Sequence, residues 1–433
     1  MYISGTNDSV NRNCFHTDAA MPMFRRFSLL ALFALATLVA AVEPDPDWPQ
    51  WHGPNRAQIW AVRDLPALPK EVAPVWKKPI GGGFGGIAVA DGRVFVMDRQ
   101  KTPKEVERVL CMDLDTGDTK WVREYAVKYA GLDYGTGPRA TPTVHDGRVY
   151  TLGAVGHLHC LDAKTGEVVW SRDCKTEFKA TLPTWGLASS PLVDGDRILV
   201  QVGGADACVM AFDRTTGKVA WKALNDRAGY TSPVRIDVGA NKIVIVWTAE
   251  SINALDAESG KVHWSVPFFI TYDVAIADPV WHSGVLLCGQ YWEGSKALTL
   301  DANGLNPKVA WEGKQLRLLM STPLVRDGFA YALDWKNGVT CVELKTGAVK
   351  WDGFKVSADA RNPHAALTWT GDGEVFALND KGELIRAKLS PAKFVELGRT
   401  KIFGGSWAHP AFAHGCVVAR DDHEILCVRL VAK

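Results

Sequence analysis

The segment Asp113-Leu-Asp-Thr-Gly117-Asp-Thr-Lys-Trp121 carries an acidic residue, a glycine four positions later and a tryptophan four positions after that. The same spacing recurs at Asp162–Trp170, Asp213–Trp221, Asp256–Trp264 and Glu343–Trp351, and a sixth copy, Asp301–Trp311, has a three-residue insertion before its tryptophan. The acid can accept hydrogen bonds from turn amides, and glycine supplies the positive φ of a tight turn. The tryptophan then lies at a fixed position along the next strand. Each copy therefore predicts a hairpin that joins two strands.

A second recurring element lies upstream of each hairpin. Thr141-Pro142, Ser190-Pro191 and Thr322-Pro323 are examples of dipeptides that begin a short apolar run. Proline is tolerated at the first residue of a strand, where its missing N–H costs little. In most copies an Asp-Gly or similar turn follows, as at Asp146-Gly147 and Asp327-Gly328, and a second apolar run comes next. With the hairpin, each unit contains four strands.

The hairpin tryptophans set the length of the repeat. They recur every 40 to 51 residues, at Trp76, Trp121, Trp170, Trp221, Trp264, Trp311 and Trp351. Four antiparallel strands in 40 to 50 residues are typical of a propeller blade, and we expect these tryptophans to be structural wedges between blades. Two degenerate copies follow, the last without a fourth strand, which the segment 71–78 can supply. The fold class predicted is all-β: an eight-bladed β-propeller of four-stranded antiparallel blades, closed by an N-terminal strand.

The composition excludes several classes of protein. Lys and Arg total 49 against 48 Asp and Glu, so no positive field draws the chain to nucleic acid. Hydrophobic residues make up 47% of the chain and charged residues 22%, which argues against disorder. The 40 glycines and 17 tryptophans fit many tight turns with large apolar anchors rather than a helical bundle.

The N-terminal region has the pattern of an export signal. Arg25 and Arg26 precede an apolar run that ends in small residues near Ala41. We expect residues 1–41 to be a signal peptide, with Met23 as a possible true start, residues 42–70 an N-terminal extension and residues 71–433 the propeller. An uncleaved anchor is the alternative. Cleavage would leave 46 charges of each sign, no membrane span and a periplasmic or secreted protein.

Nine cysteines in an exported chain raise the question of disulfides. Five of them occupy equivalent strand positions in successive repeats, where they resemble small buried hydrophobic residues. Cys174, Cys288 and Cys416 remain candidates for local pairing, but nothing in the sequence selects their partners.

The strand, Asp-x-x-[Thr/Ser]-Gly and Trp pattern resembles the PQQ-type eight-bladed β-propeller repeat over about residues 71 to 433. That family includes pyrroloquinoline-quinone (PQQ) alcohol dehydrogenases and a non-enzymatic propeller of the outer-membrane β-barrel assembly machinery. The stretch from Asp47 to Arg56, DWPQWHGPNR, is similar to a segment found ahead of propellers in exported bacterial proteins of undefined role. The resemblance implies the fold, whereas function has to be argued from a site.

The resemblance also implies what an enzyme of this family would carry. The quinone enzymes have an adjacent Cys-Cys disulfide against PQQ, a tryptophan beneath it, a Glu/Asn/Asp calcium set and a catalytic Asp. No two cysteines are adjacent in this chain, which is also short for that class. We therefore expect no catalytic residue and no cofactor, with PQQ and calcium as the alternative, and resemblance to the assembly propeller is the stronger of the two.

Other reaction centres find little support in the sequence. His157, His159 and Cys160 could suggest metal ligation, but their segment reads as the third strand of a blade. The Gly81–Gly86 run lacks the Gly-Lys-[Ser/Thr] and the helix of a phosphate loop. Ser189 and Ser190 lack a Gly-x-Ser-x-Gly elbow. We expect no metal site.

The candidate binding residues lie just before the predicted inner strands, which gather at one end of a propeller channel. Aromatic residues there, with a few charges, suit a recognition surface; the alternative is that several of them plug the channel or pack between blades. The set is Phe84, Tyr134, Arg139, Trp185, Tyr230, Tyr272, Asp273, Arg317, His364, Trp407 and His409.

The sequence thus predicts an exported, non-catalytic binding or assembly scaffold with an envelope protein or peptide as its partner. The alternatives are a PQQ- or metal-dependent oxidoreductase and a glycan-binding propeller. We expect a monomer, since closure of the ring within one chain removes the need for association.

Overall fold

Eight blades, each built on four antiparallel strands, follow one another in the computed structural model, which describes residues 46–357 and 362–431. The predicted eight-bladed propeller is therefore confirmed. Residues 1–45 lie outside the described part, and the predicted signal peptide lies there with them. Among the described residues, no helix has both the length and the hydropathy needed to cross a bilayer.

Two short strands precede the blades, and six complete blades follow them in chain order. The two are β1 (Ile59–Trp60) and β2 (Trp76–Pro79). Blade 1 contains β3 (Ala88–Ala90), β4 (Arg93–Gln100), β5 (Val106–Asp113) and β6 (Thr119–Ala126); blade 2 contains β7 (Thr143–His145), β8 (Arg148–Leu152), β9 (His157–Asp162) and β10 (Val168–Asp173). Blade 3 contains β11 (Leu192–Asp194), β12 (Arg197–Gly204), β13 (Ala207–Asp213) and β14 (Val219–Ala223); blade 4 contains β15 (Val234–Val238), β16 (Asn241–Trp247), β17 (Ser251–Asp256) and β18 (Val262–Pro267). Blade 5 contains β19 (Val280–His282), β20 (Val285–Gln290), β21 (Gly294–Thr299) and β22 (Lys308–Gly313); blade 6 contains β23 (Leu324–Arg326), β24 (Phe329–Asp334), β25 (Gly338–Glu343) and β26 (Val349–Phe354).

The last two blades recruit the early strands. Blade 7 contains β27 (Ala365–Thr370), β28 (Glu374–Asn379), β29 (Glu383–Leu389) and β30 (Phe394–Lys401), and blade 8 contains β31 (Ala411–Ala413), β32 (Cys416–Arg420) and β33 (Glu424–Arg429). Two short helical turns, α1 (Cys174–Glu177) and a 3-10 turn (Thr271–Asp273), interrupt the loops. Strand β2 pairs with β33, with Trp76 opposite Cys427, and so provides the fourth strand of blade 8. The ring closes through a strand from the N-terminal side, as predicted.

The repeated tryptophan and glycine fit together across neighbouring blades. The Trp76 indole N–H donates to the Leu114 carbonyl at 2.7 Å, and that of Trp121 donates to Ala163 at 3.1 Å. Gly117 has a φ of 70°, and a Cβ added to it would lie 2.5 Å from the ring of Trp76. Glycine is thus required for two reasons: it adopts the positive φ of the turn, and it leaves room for the indole of the preceding blade.

The N-terminal segment crosses the middle of the ring. Trp48 pairs with Val89 of β3, and β1 then adds to β27, the inner strand of blade 7, as a fifth and parallel strand. Trp60 in β1 is fully buried. Residues 48–60 therefore run between the inner strands of blades 1 and 7.

The eight cysteines of the described part are buried, and none of them forms a disulfide. Burial raises the pKa of the Cys111 thiol to about 11, which keeps it protonated and apolar in behaviour. In the described part of the chain, the cysteines are thus core residues, and Cys174, Cys288 and Cys416 form no local disulfide.

Candidate functional site

A cavity of about 620 Å³ lies where all eight blades meet. Residues from the segments ahead of the eight inner strands line it, and Trp51 of the N-terminal segment and the β20–β21 hairpin also contribute. A volume of this size is typical of pockets that hold a drug-sized ligand. All eight blades thus share one cavity at the propeller axis.

Five aromatic rings form a continuous series along one side of the cavity. Phe84 stacks on Trp407 with ring centroids 5.7 Å apart, and Trp407 contacts Tyr134 at 5.9 Å. Tyr134 contacts Trp185 at 6.2 Å, and Trp185 contacts Tyr230 at 5.2 Å. These separations are favourable for aromatic pairs. We call this series the long aromatic arc.

A second aromatic series comes from blades 5 and 6. Tyr272 meets Trp292 edge to face at 5.5 Å, and Trp292 meets Tyr291 at 4.7 Å. Tyr291 in turn stacks on Trp335 at 4.7 Å, and the guanidinium of Arg317 lies 5.5 Å from the Trp335 ring centroid. We call Tyr272, Tyr291, Trp292 and Trp335 the short aromatic arc. The cavity is therefore bounded by rings contributed from two groups of blades.

A buried carboxylate, Asp278, lies among the cavity-lining residues. The Trp51 indole N–H donates to its Oδ2 at 2.6 Å, and the Ser232 amide donates to its Oδ1 at 2.7 Å. Burial raises the pKa of Asp278 to about 6, although these two donors and the charge of Arg56 act in the opposite direction. Both oxygens are thus held by the protein itself.

Three buried histidines cluster beside this carboxylate. The His409 ring lies 5.4 Å from that of His52 and 4.9 Å from that of His364, and the Nδ1 of His52 is 3.8 Å from Asp278 Oδ2. Burial lowers the pKa of His409 to about 4 and lowers the pKa values of His52 and His364 well below their usual range. The three imidazoles are therefore neutral at neutral pH.

Arg56 and Gln58 hold the N-terminal segment in the channel. Arg56 donates to the carbonyls of Pro233 at 3.0 Å and of Pro191, and Gln58 donates to the Pro323 carbonyl at 3.0 Å. Burial lowers the pKa of Arg56 to about 10, so it remains charged at neutral pH. These bonds satisfy carbonyls at the start of three inner strands, in blades 3, 4 and 6.

Eight of the eleven candidate binding residues line the cavity: Phe84, Tyr134, Arg139, Trp185, Tyr230, Tyr272, Trp407 and His409. The other three do not. Asp273 pairs with Arg227 at 2.8 Å, and Arg317 donates through its backbone N–H to Asp334 at 2.7 Å. His364 is buried and lies 3.3 Å from the Ser321 hydroxyl. These three side chains support neighbouring loops and rings.

Several lining residues were absent from the sequence prediction, among them Trp51, Asp278, Tyr291 and Trp292. Tyr291 and Trp292 lie in the hairpin between the second and third strands of blade 5. Because antiparallel strands alternate in direction, that hairpin reaches the same end of the blade as the segment ahead of the inner strand. The alternation could have identified these two residues, whereas the position of Trp51 depends on the path of the N-terminal segment.

The histidines considered as metal ligands lie in blade 2, away from the cavity lining. The rings of His157 and His159 are 6.4 Å apart, and the Tyr125 ring contacts both of them, at 5.1 and 4.4 Å. Throughout residues 46–357 and 362–431, no three His, Cys, Asp or Glu side chains gather in a group that could hold a metal ion. His159 and its neighbours thus pack as residues of the third strand.

The repeat, the ring and the shared cavity define a propeller with an axial cavity, and the chain belongs to the PQQ-type β-propeller repeat family. The family described as outer membrane protein assembly factor BamB matches residues 105–353 and 205–430.

Individual relatives of two kinds are similar to this chain. Outer membrane protein assembly factor BamB of Shewanella oneidensis is 22% identical over 231 residues, which are 49% of this chain and 56% of that protein. Quinohemoprotein alcohol dehydrogenase ADH IIB of Pseudomonas putida is 26% identical over 231 residues, 51% of this chain and 31% of the enzyme. The chain spans little more than half the length of the BamB relatives that it matches.

Solved structures of both kinds share the architecture. BamB from Moraxella catarrhalis matches with a TM-score of 0.56 at 15% identity, over 84% of this chain and 98% of that one. Quinohemoprotein alcohol dehydrogenase from Comamonas testosteroni matches with a TM-score of 0.61 at 15% identity, over 90% and 81%. At these identities the likeness shows the fold alone.

The lining residues can be tested against PQQ with calcium, the cofactor that the quinone enzymes of the family imply. Calcium takes six to eight oxygen ligands, usually with several carboxylates. Two carboxylates line the cavity: Asp278 is buried and already accepts from Trp51 and Ser232, and Asp133 lies on an exposed loop. No cysteine is among the lining residues of the described part. The donor set therefore does not fit a calcium-bound quinone held against a disulfide.

Proposed function

We propose that the protein is a non-catalytic scaffold of the cell envelope that binds a protein partner at the aromatic cavity. The observation that carries this proposal is the convergence of all eight blades on one cavity walled by aromatic rings. Rigid aromatic side chains provide large contact areas at low entropic cost, which suits an interaction site. The deep polar groups are engaged with the fold, so they serve its architecture rather than a reaction.

The relatives support the same direction. Several of them are named outer membrane protein assembly factors, a name that states a role in the assembly of outer membrane proteins. The expected signal peptide would deliver this chain to the periplasm or beyond, where such partners reside. The solvent-facing position of Tyr272, which is 73% exposed, makes part of the cavity wall accessible to a macromolecule.

Site-specific photocrosslinking tests the proposal in the native envelope. A photoreactive benzoylphenylalanine replaces Tyr272 at the cavity, and a matched control replaces Val309, which is 53% exposed on β22 at the outer edge of blade 5. We expect a discrete crosslinked protein from position 272 that is absent from position 309. Equal labelling from both positions, or none from position 272, contradicts the scaffold function.

The oxidoreductase alternative has its own measurement. Purified protein is mixed with PQQ and Ca²⁺, and visible absorbance and alcohol-dependent dye reduction are recorded. We expect neither a bound chromophore nor turnover, because the lining residues lack a suitable donor set. Turnover that disappears in Asp278→Asn would replace the scaffold with an enzyme.

A further inference from the structure

We propose that Tyr134 and Tyr272 form a preorganised clamp that holds an uncharged segment of the partner carrying an aromatic side chain. This inference rests on the proposed function and specifies the chemistry of its occupant. It is drawn from the backbone conformation of the two tyrosines, the contacts that brace their loops and the pairing of charges around the cavity.

Both tyrosines have a backbone conformation that L-residues with large side chains rarely adopt. Tyr134 has a φ of 46° and Tyr272 a φ of 56°, in the left-handed region. They are nevertheless exposed, by 53% and 73% of their surface. Such strain persists only where the surroundings enforce it, and it concentrates at ligand clamps and switch regions. Burial does not account for these two residues, so a binding role is the better explanation.

An arginine braces each loop. Arg139 donates to the carbonyls of Tyr134 at 2.8 Å and of Asp133 at 3.0 Å. Arg227 pairs with the carboxylate of Asp273, the neighbour of Tyr272, at 2.8 Å. Because both loops are held before any partner arrives, less conformational entropy is lost on binding.

The two tyrosines belong to different walls of the cavity. Tyr134 is part of the long aromatic arc and precedes the inner strand of blade 2, whereas Tyr272 begins the short arc and precedes that of blade 5. Three blade steps in a ring of eight place them well around the axis from each other. In the proposed clamp, an aromatic side chain of the partner enters the cavity between these two walls.

The buried charges around the cavity are matched to an uncharged occupant, and the carboxylate of Asp133, which also lines the cavity, lies on an exposed loop in contact with water. Arg139 is directed to carbonyls of its own loop, and its pKa is lowered by burial. Asp278 accepts from Trp51 and Ser232. A buried ligand charge would find these groups already engaged and would lose its hydration without full compensation.

The deeper hydroxyl groups are also engaged, which favours an aromatic side chain over a sugar. Ser190 Oγ accepts from the Thr141 amide at 2.9 Å, and Ser232 Oγ accepts from the Ser190 amide at 3.0 Å. Sugar hydroxyls need polar partners when they are buried, whereas an aromatic ring needs only the ring walls that the two arcs provide.

Titration calorimetry with defined probes tests the clamp on the exported protein. The probes are the capped pentapeptides Ac-Gly-Phe-Gly-Phe-Gly-NH2 and Ac-Gly-Lys-Gly-Lys-Gly-NH2, and chitohexaose. We expect the phenylalanine peptide to bind, and Tyr272→Ala and Tyr134→Ala each to weaken it roughly tenfold. Tyr272→Phe keeps the ring and should retain the affinity. Phe269→Ala is the matched control, since Phe269 is 67% exposed in the same loop but does not line the cavity.

Thermal unfolding of Tyr272→Gly provides a second readout. Glycine adopts a positive φ without strain, so this variant should lose affinity as Tyr272→Ala does but melt at a higher temperature than Tyr272→Ala, since both variants lose the ring contact with Trp292. A melting temperature no higher than that of Tyr272→Ala would show that the backbone of Tyr272 is not strained.

Four results would overturn the clamp: tighter binding of the lysine peptide or of chitohexaose, unchanged affinity in both alanine variants, a melting temperature of Tyr272→Gly no higher than that of Tyr272→Ala, or no binding of any probe. Photocrosslinking separates this failure from failure of the scaffold. A partner crosslinked from position 272, together with any of these four results, leaves the scaffold intact and rejects the clamp.

Discussion

The indole N–H of Trp51 donates a 2.6 Å hydrogen bond to Oδ2 of Asp278, across 227 positions of sequence. This bond ties the N-terminal segment to the start of blade 5. It also holds a carboxylate at the cavity floor whose burial would otherwise be costly.

Replacement of Trp51 by phenylalanine should remove that donor and keep an aromatic ring. Because Asp278 Oδ2 then loses a hydrogen bond in a buried position, we expect the free energy of unfolding to fall by about 1–3 kcal/mol. Urea denaturation followed by circular dichroism measures the change. Trp292→Phe is the control, since Trp292 lines the same cavity and is partly exposed. Equal stability of the two variants would show that the Trp51 bond contributes little.

Alanine at Gly117 should be more damaging than alanine at Gly92. Both glycines have a φ near 70°, so both variants carry a backbone cost of roughly 1–2 kcal/mol. The new Cβ at position 117 would also lie 2.5 Å from the Trp76 ring, whereas that at position 92 has nothing within 4 Å. We expect a further loss of about 1–3 kcal/mol for Gly117→Ala, from overpacking. Equal unfolding midpoints of the two variants would mean that the interface between blades 8 and 1 accommodates the added methyl group without loss of stability.

Acid should destabilise the ring through the buried histidines. Their pKa values are lowered from 6.5, that of His409 to about 4, so the unfolded chain binds more protons than the folded one in this window. Stability is therefore lost as the pH falls from about 6.5 towards 4. Asp278 acts in the opposite sense, because its raised pKa of about 6 favours folding at lower pH.

Two variants separate these contributions in unfolding curves measured between pH 4 and 7. His409→Gln should flatten the loss of stability on acidification, and Asp278→Asn should steepen it, since it removes the opposing group. A pH dependence identical in wild type and His409→Gln would exclude His409 as a source of the acid sensitivity.

Removal of Trp76, which lies on the strand that closes the ring, should lower the stability of the protein more than removal of a tryptophan that lines the cavity. Trp76 is 7% exposed and donates to the Leu114 carbonyl in the next blade. We expect Trp76→Ala to cost about 3–5 kcal/mol. Trp407→Ala, which removes a partly exposed ring of the long arc, should cost less. Thermal unfolding compares the two variants. A larger drop in melting temperature for Trp407→Ala would show that the cavity contributes more to stability than the closure of the ring.

The fold was predictable because its signal is local and repeated. An acid, a glycine and a tryptophan at fixed spacing specify a hairpin, and seven tryptophans set the period. Even blade 8, whose fourth strand lies more than 300 positions earlier, was recoverable because Trp76 lacks a preceding hairpin. Each of these inferences depends on residues close in sequence or on simple counting.

The cavity was only partly predictable because its walls are set by loop paths. The position ahead of an inner strand correctly places Phe84 and Trp407 at the axis, but it cannot tell that Arg317 turns to Asp334. The roles of Trp51, Arg56 and Gln58 come from a channel-crossing segment whose contacts lie more than 130 positions away. No periodic pattern encodes such contacts.

The pairing of β2 with β33 gives the ring a particular order of assembly during synthesis. Strand β2 leaves the ribosome before any blade, yet the edge on which it pairs exists only after Glu424–Arg429 has been made. The first-made segment must therefore wait, unpaired, while the rest of the ring is translated. Any chain interrupted before the last blade would retain an unpaired β2 and leave the apolar faces of blades 1 and 7 uncovered, so chaperones and proteases could distinguish unfinished molecules from finished ones.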